Sequence, residues 1–516
     1  MRFTPEHDMF RQSLRDFLKK EVVPHIDQWE EDRRIPREIW KKMGEMGFLG
    51  LGYPAQYGGL DLDFGYDVIF CEETSKVFSG GFTITQLVVQ YMSCPNILKY
   101  GTDALKQKYL PGIISGDLIS CIGITEPGAG SDAANIQTMA IREGDHYVVN
   151  GSKTFITNGV YGDFIVTVVK TDPKAGAAGV SLLVIDRNAE GVSANKLKKL
   201  GWHASDTAEL AFDNVKVPAE NLIGAEGQGF YYLMNGLQLE RLVGGISAYS
   251  ACESALEYSL QYMSERHAFG RPINKFQVLR HRVAQLASEI ESTKQFVLHC
   301  CRKHDAGEYA VKECSMAKLL ATELSDKVAY QCLQFFGGYG FMEEYKIARM
   351  FRDSRVGTIG GGSSEIMREI IAKMVIDDIS YGGSTVERPK TSSASSAAGP
   401  VSTGASNGNG AEAAVAAVQP IDELLAEIQV AAGKANALGK TLKFDFGGEQ
   451  LVIDGTGDAN QVSADDAAAD CTVSVSRDDF DAMRRGQLDP MTAMMSGKLR
   501  IEGDMGVAMK LQALFQ

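Results

Sequence analysis

The sequence predicts a multidomain chain: an α-helical N-terminal domain, a middle antiparallel β domain, a four-helix bundle, and a separate α+β domain toward the C-terminal end. Three observations predict it. Apolar residues recur at helical spacing up to about residue 117 and again from 227, short β-branched runs fill the space between, and a stretch near residue 400 is almost without aromatic residues. At 516 residues, 44% apolar and 23% charged, the composition is that of a globular protein with core enough for several domains.

In residues 1–117, Phe10, Leu14, Phe17 and Leu18, then Ile39, Met43 and Leu49, repeat at three and four. Pro24, Pro36, Pro54 and Gly58-Gly59 divide this region into several helices. Residues 118–226 carry runs such as Phe164-Ile165-Val166-Thr167-Val168-Val169 and Val180-Ser181-Leu182-Leu183-Val184-Ile185, separated by turns of Gly, Asn and Asp. Long helices are expected again over 227–381. Leu242, Ile246, Tyr249, Leu256, Leu260 and Met263 form one apolar stripe, and Val311, Leu319, Leu320, Leu324 and Val328 another, ending at Gly337-Gly338. A last helix is expected from about Ser364 to Ile379, with Ile366, Ile370, Ile371, Met374 and Val375 inward.

Residues 382–419 read as a flexible linker, since Lys390 to about Ala417 is mostly Ser, Ala, Gly and Asn and cannot bury enough to order itself. Residues 420–516 resume a folded pattern. An amphipathic helix (Ile421, Leu424, Leu425, Ile428) precedes strands at Thr441 to Phe446, Gln450 to Ile453 and Cys471 to Val475, and a polar helix begins near Arg477. Met491, Met494, Met495, Met505 and Met509 lie close together, and their flexible thioethers adapt to varied apolar ligands.

A formal net charge of −14 argues against nucleic acid as a partner, because phosphate binding needs a basic stripe. No apolar run reaches the roughly 18 residues that span a bilayer. The N-terminal residues resemble neither a secretory signal nor a transit peptide, and the last three are not a peroxisomal address. Nine cysteines show no C-x-x-C spacing, and eight histidines show no metal spacing. A reducing, cytoplasmic setting is expected, with no metal.

The most informative feature is the loop Thr125-Glu126-Pro127-Gly128-Ala129-Gly130-Ser131-Asp132, which ends the apolar run Ile119 to Ile124. Its glycines let backbone N–H groups approach a ligand, and Thr125 and Ser131 add hydroxyls. Downstream, Phe155-Ile156-Thr157-Asn158-Gly159 offers a flat ring and, two residues on along a strand, a hydroxyl. Such a pair suits a planar heterocycle that is stacked and hydrogen-bonded at its edge.

Together these segments resemble the flavin-holding loops of the acyl-CoA dehydrogenase family, and the resemblance spans residues 1 to about 380. It implies FAD as cofactor and α,β-dehydrogenation of acyl-CoA thioesters, with electrons passing to an electron-transfer flavoprotein. The family's usual catalytic glutamate precedes the last helix; aligned on Phe351-Arg352-Asp353, that position is Gly361 here. The alternative place, used by long-chain and isovaleryl members, is a Glu-Arg-Leu at the start of the helix after the β domain, present as Glu240-Arg241-Leu242. The resemblance therefore implies Glu240 as base and the Gly361 N–H as a donor to the thioester carbonyl. Burial beside acyl chain should raise the Glu240 pKa.

By the same resemblance, Ile122, Ile124, Thr125, Gly130, Ser131, Phe155, Ile156 and Thr157 hold the flavin. Arg266 resembles the arginine that reaches the pyrophosphate of a neighbouring subunit's flavin, and Phe269, Gln277, Gln334, Gly337 and Gly338 are further implied flavin contacts. Ser363 and Glu365 sit where the last helix begins, whose N–H groups favour phosphate. Ser131, Tyr231, Arg241 and Gly361 are the implied substrate contacts, and a homodimer or homotetramer follows from sites that straddle subunits. The tail, with Asp454-Gly455, Ala469-Asp470 and Met494 to Met505, resembles the sterol carrier protein type 2 family, which implies a lipid ligand. The competing readings are an acyl-CoA oxidase that uses O₂, a non-enzymatic lipid-binding scaffold, and a DNA-associated branch of the fold, the last disfavoured by the acidic charge.

Overall fold

The computed structural model describes residues 1, 3–377, 428–429, 440–447, 449–457, 459–464, 467, 469–484 and 499–503. The chain divides into two compact units, Met1–Ser395 and Ser396–Gln516. The expected linker, most of the helix expected from Ile421 and the methionine group lie outside the described residues.

The first unit opens with seven helices: α1 (Pro5–Phe17), α2 (Ile26–Asp32), α3 (Arg37–Glu45), α4 (Phe64–Ser75), α5 (Gly80–Leu87), α6 (Cys94–Tyr100) and α7 (Asp103–Ile114). The prolines act as boundaries: Pro36 precedes α3, and Pro24 sits in a short 3₁₀ turn before α2. Thr4, Asp63, Ser79 and Thr102 cap α1, α4, α5 and α7 through their side-chain oxygens.

A sheet follows, built from β1 (Ser120–Gly123), β2 (Met139–Glu143), β3 (His146–Thr157), β4 (Phe164–Lys170), β5 (Val180–Asp186), β6 (Val192–Lys196), β7 (Thr207–Pro218) and β8 (Leu222–Ile223). The order is β6-β7-β3-β2-β4-β5-β8, with β1 beside β4. The domain is mainly antiparallel, as expected, with one departure: β1 runs parallel to β4 with Ser120 opposite Phe164. The reason is the connection: the chain leaves β1 through the glycine loop and the β2–β3 hairpin before β4, a crossover long enough for parallel pairing.

The bundle consists of α8 (Gly229–Glu265), α9 (Gln277–Asp305), α10 (Val311–Phe336), α11 (Lys346–Ser354) and α12 (Ser364–Ile376). At Gly245 α8 faces α10: a Cβ there would make ordinary contact with Ala317 O at 3.5 Å. Most of the predicted stripes are buried, but Leu260, Leu320 and Val375 are exposed, and the buried face of α10 is instead Cys314, Ala317, Ala321, Leu324, Val328 and Cys332. On α12 the fully buried side chain is Met367, with Ile366, Ile370, Ile371 and Met374 half-buried. That face mixes small residues with Leu324 and Val328.

Buried polar joints bind these three parts. The Asp353 carboxylate of α11 accepts Gly80 N of α5 at 2.9 Å and Trp202 N of the loop after β6 at 2.6 Å. Asn158, directly after β3, donates to Thr85 O and Ser120 O, both at 3.2 Å. The motif Phe155-Ile156-Thr157 is thereby fixed against both the helical domain and β1.

In the second unit, β9 (Thr441–Asp445), β10 (Gln450–Asp454), β11 (Gln461–Ser463), β12 (Cys471–Val475) and β13 (Leu499–Gly503) form a five-stranded sheet of order β11-β10-β9-β12-β13. Phe480, on a helix Arg477–Arg484, packs edge-on against Phe444 and Phe446 at 4.9 and 5.0 Å. The helix thus covers one face of the sheet.

Candidate active site

The two motif segments are physically joined. Thr154 N donates to Thr125 O at 2.8 Å, and one residue away on each strand the fully buried Lys153 donates to Glu126 Oε1 at 2.7 Å. Glu126 also accepts Gln137 N at 2.5 Å and Thr138 N at 2.9 Å. Burial alone would raise the Glu126 carboxyl, yet the Lys153 ammonium and these donors hold it below the ordinary carboxylate range. Neither residue was among the sequence candidates. Both lie in polar surroundings of the sequence, Glu126 in the glycine loop and Lys153 after Asn150-Gly151-Ser152, so nothing in the residue pattern marked them as buried.

From this anchor the loop projects Gly128, Gly130 and Ser131 outward, exposed, with nothing within 4 Å of a Cβ built on Gly128. Ile122, Ile124 and Thr125 are half-buried beneath it. At the end of β3 the pairing with β7 slips between Lys153 and Ile156, a bulge that turns Phe155 outward. Phe155 takes φ +63° and is 70% exposed, while Ile156 is buried and Thr157 half-buried. An aromatic side chain held at positive φ and left bare is strained and unshielded, which marks a surface built for a ligand. An exposed ring beside an open glycine loop with hydroxyls at its rim fits the isoalloxazine of a flavin.

Glu240 lies about three turns into α8 rather than at its start. Its side chain is half-buried and turns back along α8, with Oε1 3.8 Å from where a Cβ on Gly236 would stand. Burial pushes its pKa up to about 7, against the pull of the adjacent Arg241 guanidinium. Arg241 is buried, and its Nη1 donates to Ser315 Oγ on α10 at 3.3 Å. Tyr231 is half-buried one face round, beside Tyr232, whose ring stacks on Tyr100 at 3.9 Å.

The turn before α12 completes this neighbourhood. Gly361 and Gly362 take φ +64° and +91°, and a Cβ on Gly361 would meet nothing within 4 Å. Lys318 of α10 donates to Gly362 O at 2.6 Å, and the field of Arg241 reaches Lys318. Through α10, therefore, the Glu240-Arg241 pair and the glycine turn are neighbours. Ser363 caps α12 by accepting from Ile366 N, and Glu365 is exposed in its first turn.

A second group gathers elsewhere on the bundle. Arg266 ends α8 and lies over the Tyr339 ring at 5.5 Å; Phe269, 96% exposed, tips the small hairpin His267–Ala268/Arg271–Pro272. Gln277, Gln334, Gly337 and Gly338 are exposed at adjoining helix ends. Arg266, with Tyr258, Tyr262 and Tyr345, lines a cavity of about 330 Å³. Among the described residues no cluster of His, Cys, Asp and Glu could hold a metal, and no helix is long and apolar enough to cross a membrane.

Comparison with known proteins places each part of the chain in a family. Residues 4–117, 121–215 and 227–376 match the N-terminal, middle and C-terminal domain models of acyl-CoA dehydrogenase, and 421–516 match the SCP-2 sterol transfer family. The mitochondrial long-chain specific acyl-CoA dehydrogenase of Mus musculus is 40% identical over 381 residues, covering 73% of this chain and 88% of that protein. The crystal structure of an acyl-CoA dehydrogenase from Geobacillus kaustophilus superposes with a TM-score of 0.71 at 48% identity, over 72% of this chain and 99% of that one. A chain from the electron transferring flavoprotein work on Acidaminococcus fermentans gives 0.71 at 34% identity, over 73% and 99%. These similarities do not favour the oxidase alternative. The chain belongs to the acyl-CoA dehydrogenase family of flavoprotein oxidoreductases, joined to a C-terminal domain of the SCP-2 type.

Proposed function

We propose that this protein is an FAD-dependent acyl-CoA dehydrogenase in which Glu240 removes the α-proton of the thioester. The observation that carries this reading is the Glu240 carboxyl, pushed up to about 7 by burial and neighbour to a glycine turn where the family's usual glutamate is missing. A carboxylate with that pKa is a stronger base than an ordinary one, and about half of it is ionised at neutral pH. FAD, when bound, supplies the acceptor for the β-hydrogen, which leaves as hydride.

The chain's own groups divide the remaining work. Phe155 stacks the ring system and Thr157 hydrogen-bonds its edge, while the N–H groups and hydroxyls of Thr125, Gly130 and Ser131, over Ile122, Ile124 and Ile156, line its seat. Ser363 and Glu365 stand at a helix N-terminus suited to phosphate. Gly361 N–H donates to the thioester oxygen as negative charge builds there. Ser131, Tyr231 and Arg241 contact the substrate. Arg266 serves a second subunit's flavin and Phe269, Gln277, Gln334, Gly337 and Gly338 add flavin contacts; the bareness of Phe269 and of Phe341, 82% exposed, supports a covered surface there. A homodimer or homotetramer follows, and electrons leave to an electron-transfer flavoprotein. Nine free, buried cysteines suit a reducing, cytoplasmic compartment.

Anaerobic addition of a panel of acyl-CoA thioesters should bleach the flavin absorbance, most completely for medium, long or branched chains. A colourless purified protein, or one bleached by none of them, would refute the reading.

The SCP-2 domain delivers lipid or acyl-CoA to the dehydrogenase unit by raising its local concentration. A protease site introduced between the units, then cut, should raise the apparent KM for poorly soluble thioesters and leave that for short ones unchanged. Equal KM values before and after cutting would remove the delivery role.

A further inference from the structure

Three consecutive glycines, Gly360-Gly361-Gly362, have no side chains with which to hold one conformation, and free glycine loses more backbone entropy on ordering than any other residue. Yet the proposed mechanism needs the Gly361 N–H aimed to within a fraction of an ångström. Something outside the turn must fix it. Lys318 is 3% exposed, reaches the turn from α10, and donates from Nζ to Gly362 O at 2.6 Å. Among the described residues no carboxylate forms an ion pair with it.

An ammonium buried without an ion-pair partner is costly, and burial pulls the Lys318 pKa down to about 8, with Arg241 adding to the shift. Glu323, which is engaged by Arg368 at 2.7 Å, and Glu365 of α12 pull only weakly the other way. If α12 needed only a cap, Ser363 already supplies it. One turn back on α10, Ser315 takes the Arg241 guanidinium. The same helix face therefore grips the residue next to Glu240 and the turn that presents Gly361.

We propose that Lys318 is a positioning residue of the acyl-CoA site: held on the Gly362 carbonyl, it locks the glycine turn so that the Gly361 N–H faces the thioester oxygen. It acts through Gly361 and touches no reacting atom. This rests on the function proposed above, so its test must fail separately from that one.

The test uses the full chain with FAD, as K318M, K318Q and K318R. FAD content and melting temperature are measured first, then the maximal rate of flavin reduction, KM, and the long-wavelength absorbance with a 3-thia-acyl-CoA, whose α-anion mimics the enolate. In K318M the maximal rate should fall about 10- to 100-fold while KM changes less than about threefold, since only the transition state loses its donor. The 3-thia absorbance should weaken in parallel, K318R should recover most of both, and FAD content should stay at the wild-type level.

An unchanged maximal rate in K318M overturns the proposal, as does a loss expressed wholly in KM or in FAD content. Should K318M not fold, K318Q is judged by the same criteria, and unfolding of both makes Lys318 structural and overturns the proposal too. Unchanged K318M beside an inactive Glu240→Gln overturns this inference alone. A wild type that bleaches with no thioester overturns both.

Discussion

Glu240→Gln should retain FAD and acyl-CoA binding but lose flavin reduction by about 10²- to 10⁴-fold, the usual worth of a positioned base. Gln matches Glu in shape, so the packing beside Gly236 is kept and only the proton acceptor is lost. In the wild type, the maximal reduction rate divided by KM, which reports the free enzyme, should fall about tenfold per pH unit below about 7, where the carboxyl takes up its proton. Stability should move the other way. The folded pKa of about 7 lies above the ordinary value of 4.5, so folding gains from the neutral form at low pH and loses that gain as pH rises through 7. Glu240→Gln should therefore stabilise the apo-protein by up to about 3 kcal/mol at pH 8 and by less than about 1 kcal/mol at pH 5. Denaturant midpoints at the two pH values, beside anaerobic bleaching, check both halves. Wild-type bleaching rates in the variant would remove Glu240 from the mechanism.

The order of helices, strands and bundle was legible because each part repeats its own period over many residues. Lys318 was not, although it falls on the apolar face of α10 between Cys314 and Ala321. A single lysine in a helical stripe reads as a long side chain reaching for solvent, and its partner Gly362 is a carbonyl that no side-chain pattern reports. Parallel pairing of β1 with β4 was hidden for a related reason: four residues carry no directional signal, and the partner lies some forty residues on. Leu260, Leu320 and Val375 fitted the spacing yet are exposed, because a period identifies an apolar face without saying whether the same chain covers it. The glycine loop and Phe155 were the reverse case. Their chemistry was visible in the sequence, while the bulge at Lys153 to Ile156 that bares the ring was not.

Lys153→Met should be the most damaging single change to the fold of the first unit, costing about 3–5 kcal/mol. Lys153 is fully buried and its ammonium meets Glu126 at 2.7 Å, so methionine fills the space but strands a carboxylate that burial already disfavours. The sign with pH follows from the wild-type pair. The lowered Glu126 pKa contributes stability above its ordinary value of 4.5 and gives it up as pH falls through the folded value. Without the ammonium, burial dominates and Glu126 takes up a proton. Burial pulls the Lys153 pKa down to about 8, so its ammonium is still mostly present at pH 7. The deficit of the variant should accordingly be largest near pH 7 and shrink toward pH 5, and adding Glu126→Gln should recover part of it, because a neutral amide no longer needs a counter-charge. Because Thr125 and Thr154 are bonded beside this pair, the flavin loop should loosen with it, and FAD should leave the variant more readily even where the fold persists. Denaturant midpoints across pH, with FAD retention on dilution, separate the two effects. A Lys153→Met protein within about 1 kcal/mol of the wild type at pH 7, where the ammonium is still mostly present, would mean that Thr125 and Thr154 anchor the loop unaided.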